Sequence, residues 1–184
     1  MINLLKQKNK NNSGFTLVET LVAISIFTIS ILALMSVLSK GMADTNYAKQ
    51  KNTASYLAQE GIEYIRNMRD TSVLSNQDGW TSFINNISLC TIASSCYVDM
   101  DLPNTFISCP GNVCPFLEYD SSFSKYGYNL SSNVDSGFTR IIYIDNANLQ
   151  NNNNEIKIIS RVEWTQGSGN RSVEFSENLY NWIE

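Results

Sequence analysis

Histidine is absent from all 184 residues, which removes the commonest general base and the commonest metal-binding side chain together. Serine–histidine and cysteine–histidine nucleophile pairs are therefore excluded. Proline is nearly as scarce, with three residues and none before Pro103, so no ring interrupts a helix in the first half of the chain. Charged residues make up only 16% of the sequence, and the balance is acidic, 17 Asp and Glu against 13 Lys and Arg. Three of the cations are Lys6, Lys8 and Lys10, so without residues 1–14 the formal charge falls from −4 to −7. A surface that acidic suits non-specific nucleic-acid binding poorly, because such binding neutralises phosphates with Lys and Arg. No nucleic-acid partner is expected. A phosphate loop is missing too, since Gly167-Ser168-Gly169 lacks the strand-to-helix setting that such a loop needs. Asp99, Asp101 and Asp120 read as solvated loop acids rather than a calcium or acid–base cluster, and no catalytic residue, metal or cofactor is expected.

What the sequence does have is a long apolar run. From Phe15 to Leu38 the only charge in 24 residues is Glu19. As a helix this run would measure roughly 36 Å, enough for a hydrocarbon core of about 30 Å. Its β-branched residues oppose a helix weakly in water, but lipid forces backbone hydrogen bonds to close within the segment. The polar, lysine-bearing leader Met1 to Ser13 is expected to stay on the cytoplasmic side. A buried soluble helix is a poorer reading of so long a run. A cleavable secretory signal is poorer as well, because its core is shorter, Ser39-Lys40-Gly41 is a weak site, and a glutamate early in the core is out of place.

Between Lys40 and Asp70 the pattern turns amphipathic. Tyr47, Ala54, Leu57, Ala58, Gly61, Ile62, Ile65 and Met68 recur at spacings of three and four, with Lys49, Lys51, Glu60 and Glu63 on other faces. This stripe reads as packing against a head, with Gly61 as a point of close approach. Arg66 and Arg69 suit the end of a helix dipole, and Asp70-Thr71-Ser72 reads as the exit. One helix over about 15–69 would be roughly 80 Å long.

Residues 71–184 read as the head. Asn76 to Gly79 is a turn, and Trp80, Phe83, Ile84 and Ile87 suit a short helix or strand. Strands are expected over Tyr126–Leu130, Phe138–Ile144, Ile156–Thr165 and Arg171–Phe175. Asn146–Asn154 is a polar connection, Gln166–Asn170 a glycine-bearing hairpin turn, and Leu179, Trp182 and Ile183 close an edge. The fold class is α+β: a long N-terminal helix packed on an antiparallel sheet.

Cys90, Cys96, Cys109 and Cys114 share one window of Ser, Asn and Pro, which reads as stapled loop. They can pair in three ways, and short loop closures favour Cys90–Cys96 and Cys109–Cys114. A four-thiolate zinc site is the competing arrangement, although these spacings are not those of paired CxxC knuckles. Disulfides require export.

Gly14-Phe15-Thr16-Leu17-Val18-Glu19, behind a basic leader and ahead of an apolar helix, resembles the cleavage and methylation motif of type IV pilins and type II secretion pseudopilins. The resemblance covers about 30 residues closely and implies a type IV pilin-like fold. It implies cleavage between Gly14 and Phe15 by a prepilin peptidase and N-methylation of Phe15. It also implies pairing of Glu19 with the N-terminal amine of a neighbouring subunit, which sets assembly register. Gly14 has no Cβ and so fits an extended protease cleft. Glu19 lies about 6 Å along the axis from the new amine, where the helix dipole favours a carboxylate. Ala54–Glu63 and Phe138–Ile142 are similar to segments of minor pilins and of the I-type pseudopilin. The domains this implies are a leader, 1–14, a transmembrane and assembly helix, 15–39, its amphipathic half, 40–70, and a head, 71–184. The implied function is a minor-pilin subunit of a filament, without enzymatic activity. Its implied partners are the peptidase, other pilin subunits, a platform protein and an assembly ATPase. The chain would sit in the cytoplasmic membrane before assembly and in an extracellular or periplasmic filament afterwards. A secretion pseudopilin and a signal-anchored domain that never polymerises are the alternatives.

Overall fold

A computed structural model describes residues 14, 16–75, 78–102, 105–130, 134–145 and 154–182. The chain divides into two compact units, Met1–Asn46 and Tyr47–Glu184. Helix α1, Leu17–Ser75, supplies the regular structure described in the first unit and opens the second. None of the first unit's described residues is buried. Its backbone closes on itself, as a helix must when its side chains meet no protein.

In the second unit α1 buries Ala54, Leu57, Ala58, Gly61, Ile62, Ile65, Met68 and Val73. The helix runs past the expected exit at Asp70 and ends at Ser75, because Val73 joins the same core as Met68, Trp80 and Phe83. Arg66 and Arg69 are therefore not end-of-helix cations; they bind the sheet instead. Arg66 Nη2 donates to Glu177 at 2.6 Å and Arg69 Nη1 donates to the Tyr180 carbonyl at 3.0 Å. Helix α2, Gly79–Ile87, follows and buries Trp80, Phe83 and Ile87. Gly79 permits the corner, since a Cβ there would stand 1.9 Å from the Ser72 carbonyl oxygen.

Seven strands form one antiparallel sheet: β1, Cys96–Val98; β2, Phe106–Ser108; β3, Phe116–Asp120; β4, Lys125–Gly127; β5, Asp135–Asp145; β6, Glu155–Gln166; and β7, Gly169–Tyr180. One edge of β5 pairs with β6, and β6 with β7. The other edge is shared by β3, with β4 beyond it, and by β1, with β2 beyond it. The meander β5–β6–β7 follows the expected alternation, with Phe138, Arg140, Ile142 and Ile144 opposite Trp164, Val162, Ser160 and Ile158 on the buried face. β7 is longer than expected and carries Leu179 into the core as a strand residue. β4 is shorter than expected, because Asn129 adopts a left-handed backbone, φ 53°. The cysteine window holds the strands β1 and β2, so it is not loop alone. Pro103, Ile183 and most of the expected polar connection lie outside the described residues.

Two apolar clusters lie between helix and sheet. Ala54, Leu57, Ala58, Leu117, Tyr128, Phe138, Val162 and Trp164 form one. Ile62, Ile65, Met68, Ile142, Ile158 and the α2 residues form the other. Each fully buried aliphatic or aromatic side chain contributes on the order of 1.5–3 kcal/mol.

Candidate processing and assembly segment

Gly14 is exposed and non-helical, with open space where a Cβ would be. Phe15 lies outside the described residues, as do residues 1–13, so the expected cleavage and methylation position is reached only from its two flanks. On the far flank Thr16 is the helix N-cap. Its carbonyl accepts the first helical bond, from the Thr20 N–H at 3.2 Å, and its Oγ1 accepts the Glu19 N–H at 3.3 Å. Thr16-Leu17-Val18-Glu19 has the spacing of a capping box, a hydroxyl followed three residues later by a carboxylate. Sequence reasoning placed Glu19 in the dipole field but passed over Thr16, although that spacing was there to be read. Glu19 is exposed in the first turn of α1, where a carboxylate gains from the unpaired N–H groups.

Beyond Glu19 the helix is long enough and apolar enough to cross a membrane. Its most apolar 18-residue window has a mean hydropathy of 2.6, none of it buried. Leu17, Phe27, Ile29, Leu32 and Val37 are each more than 60% exposed. The hydroxyls in this run turn back on the helix: Thr20, Ser25, Thr28 and Ser30 donate to the carbonyls of Leu17, Leu21, Ser25 and Ile26 at 2.8–2.9 Å. Such bonding lets hydroxyls enter an apolar medium at low cost.

The four cysteines form two disulfides, Cys90–Cys96 and Cys109–Cys114, with Cα separations of 5.2 and 4.6 Å. No thiol remains free for a zinc site. The bridges are adjacent: Cys109 N–H donates to the Ser95 carbonyl at 2.9 Å, and Cys114 Sγ lies 3.9 Å from the Cys96 carbonyl oxygen. Ile144 N–H donates to the Cys90 carbonyl at 2.8 Å. The bridged loops thereby hold β1 and β2 on the edge of β5.

One buried charge was not anticipated. Arg140, 1% exposed, lies between the two apolar clusters where Gly61 lets the helix approach. Its Nη1 donates to Glu60 Oε2 at 3.0 Å and to the Leu57 carbonyl at 3.4 Å, and its Nη2 to the Val98 carbonyl at 3.2 Å. Residues of α1 and of β5, distant in sequence, thus meet at this group. Nearby, burial pushes the Tyr128 hydroxyl up to about 12, with the Arg140 guanidinium pulling the other way. On the outer side of α1, the hydrogen bond that Arg66 donates to Glu177 holds its guanidinium above its ordinary value.

Among the described residues, no three His, Cys, Asp or Glu side chains are grouped to hold a metal ion. The arrangement around Gly14–Glu19 offers an exposed glycine, a capped helix start, one carboxylate and an apolar rod.

A family model, the prokaryotic N-terminal methylation motif, matches residues 9–35. No curated protein and no solved structure matches the chain.

Proposed function

We propose, for a chain whose N-terminal segment is of the type IV pilin and pseudopilin kind, the substrates of prepilin peptidases, that it is a minor-pilin subunit of a type IV pilus-like filament. The observation that carries this reading is the motif match over residues 9–35, laid on a capped helix start and an unburied apolar helix. The peptidase cuts between Gly14 and Phe15 and the new amine of Phe15 is methylated. Residues 1–14 are then the leader, 15–39 the membrane and assembly segment, and the rest of the helix with residues 71–184 the exported part. Before assembly the chain is a single-pass membrane protein with its N-terminus in the cytoplasm; afterwards it lies in a filament outside that membrane. An assembly ATPase and a platform protein supply the work.

The mechanism is physical rather than chemical. Leaving the membrane costs an apolar helix its lipid contacts, so extraction proceeds when other subunits' helices replace the lipid. Glu19 in an apolar surround needs a cation, and the amine of a neighbouring Phe15 is the nearest that repeats once per subunit. That pairing fixes the axial register. The adjacent disulfides suit an exported, oxidised head.

Intact-mass and N-terminal analysis of the mature protein tests the processing step: the first residue is expected to be Phe15, methylated. Any other start removes the reading. Polymerisation is tested with Glu19→Ala, which should be processed normally yet be lost from the sheared filament fraction. Retention of that variant at the wild-type level would remove the register role.

A further inference from the structure

The side of α1 turned away from the sheet carries a directional charge pattern in the second unit. Lys49, Tyr56 and Glu63 are seven residues apart, about two helical turns each, and fall on one line along the helix. All three are exposed, Tyr56 at 73%, opposite the buried line of Ala54, Leu57, Gly61 and Ile65. Lys49 forms no ion pair among the described residues. At the other end three carboxylates, Glu60, Glu63 and Glu177, share two guanidinium groups, Arg66 and Arg140. One negative charge is left over. Tyr56 borders two open grooves of about 520 and 460 Å³, the first shared with Arg66 and Phe175 and the second with Lys125 and Tyr126.

The stripe is therefore positive at one end, negative at the other, and has a projecting aromatic between two recesses. Such a surface complements a second copy of itself if the copies lie antiparallel, or parallel with an axial offset. Chains that enter one membrane from the same side are parallel, which leaves the offset arrangement. We infer that the Lys49–Tyr56–Glu63 stripe docks a second copy of this chain, the Lys49 ammonium of one copy seated on Glu60 and Glu63 of the next. The separation along the helix sets the offset at 11 to 14 residues, roughly 16–21 Å. The contact is heterologous, joining different ends of the same stripe, and so can repeat without closing into a ring. The inference rests on the filament reading and names a contact in the exported part of the chain, separate from the pairing of Glu19.

The test uses the full-length chain in its membrane and in sheared filaments. Lys49→Cys and Glu63→Cys chains, co-expressed and oxidised, should give an inter-chain disulfide dimer on a non-reducing gel; Lys49→Cys alone should not. Charge reversal in Lys49→Glu, carried by both the tagged and the untagged copy, should lower their co-recovery by about fivefold, and adding Glu63→Lys to both should restore it. Thermal melts of the single and double variants confirm that the fold persists. Equal dimer from the mixed and single-cysteine populations overturns the stripe, as does reversal without effect. Absence of the wild-type chain from filaments overturns the filament reading by itself. In that event the membrane fraction decides the stripe, a mixed dimer supporting it and no dimer overturning it.

Discussion

Two parts of one helix behave in opposite ways. Through the first unit α1 presents Leu, Ile, Val and Phe on every side and buries none of them. In the second unit it buries a residue at every third or fourth position and leaves charge on the other side. The difference lies in what completes each part. An apolar helix without a polar face gains nothing from water and is completed by lipid or by other helices. A striped helix is completed by its own sheet. Their polar groups differ in the same way. Ser25 and Thr28 are satisfied by carbonyls three or four residues back, whereas the two Nη groups of Arg140 bond to groups brought from α1 and from the end of β1.

That contrast predicts where mutation is costly. Arg140→Ala should give the largest effect, because it leaves a cavity between the apolar clusters and removes the donors of two buried carbonyls. We expect a loss of about 4 kcal/mol in chemical denaturation of the detergent-solubilised chain. Ser25→Ala and Thr28→Ala, which break only local bonds, should leave that transition in place. Glu60 is half-exposed, so Glu60→Gln should cost a small part of the Arg140 effect. An Arg140→Ala transition that coincides with the wild type would show that the buried guanidinium holds nothing together.

A second contrast uses two glycines of the same helix. A Cβ on Gly61 would stand 2.7 Å from Ser160 Oγ, 3.1 Å from Arg140 Cδ and 3.3 Å from Ile142 Cδ1, while a Cβ on Gly41 would meet nothing within 4 Å. Gly61→Val should therefore destabilise the second unit by about 3 kcal/mol, since the extra methyls are driven into a filled core. Gly41→Val should leave the melting of that unit unchanged. Equal effects at the two positions would mean that the helix does not meet the sheet at Gly61.

These contrasts also mark what the sequence made legible. The stripe Tyr47, Ala54, Leu57, Ala58, Gly61, Ile62, Ile65 and Met68 could be read because a helical face declares itself by spacing, and every one of those residues is buried except Tyr47, which stays exposed beside Trp164. The alternation in Arg161-Val162-Glu163-Trp164 gave β6 for the same reason. Arg140 was harder. It sits at an inward position between Phe138 and Ile142, but a charge there reads as an interruption until its partners, 42 to 83 residues away in sequence, are known. The strands β1 and β2 have three residues each and depend on the disulfides and on the β5 edge, so no local pattern announced them. The end of α1 was misread because Asp70-Thr71-Ser72 is a poor helix sequence, overruled by burial of Val73. In the N-terminal segment Glu19 was conspicuous as a lone charge, whereas Thr16 was recognised only by its bond to the Glu19 N–H.

The third and smallest effect concerns alkaline pH, and it belongs to the second unit, since the chain has no tyrosine before Tyr47. The Tyr128 hydroxyl is buried near the Arg140 guanidinium, and burial raises its pKa in the folded chain to about 12. In the unfolded chain a tyrosine titrates near 10. The folded state therefore holds its proton over a range in which the unfolded state releases it. Stability from this group is intact below about pH 10 and declines as the pH rises toward about 12, by about 2–3 kcal/mol in all. Tyr126 and Tyr143 are also raised, chiefly by burial, and contribute to the same decline. Tyr128→Phe keeps the buried ring and removes the titrating hydroxyl, so it should cost little at pH 7 and flatten the alkaline loss measurably. Denaturation midpoints at pH 8, 10 and 11 on both proteins check this. If Tyr128→Phe lost stability as steeply as the wild type, the ring would not be sealed between α1 and the sheet, and the packed part of the helix would lose the closure that separates it from the apolar part.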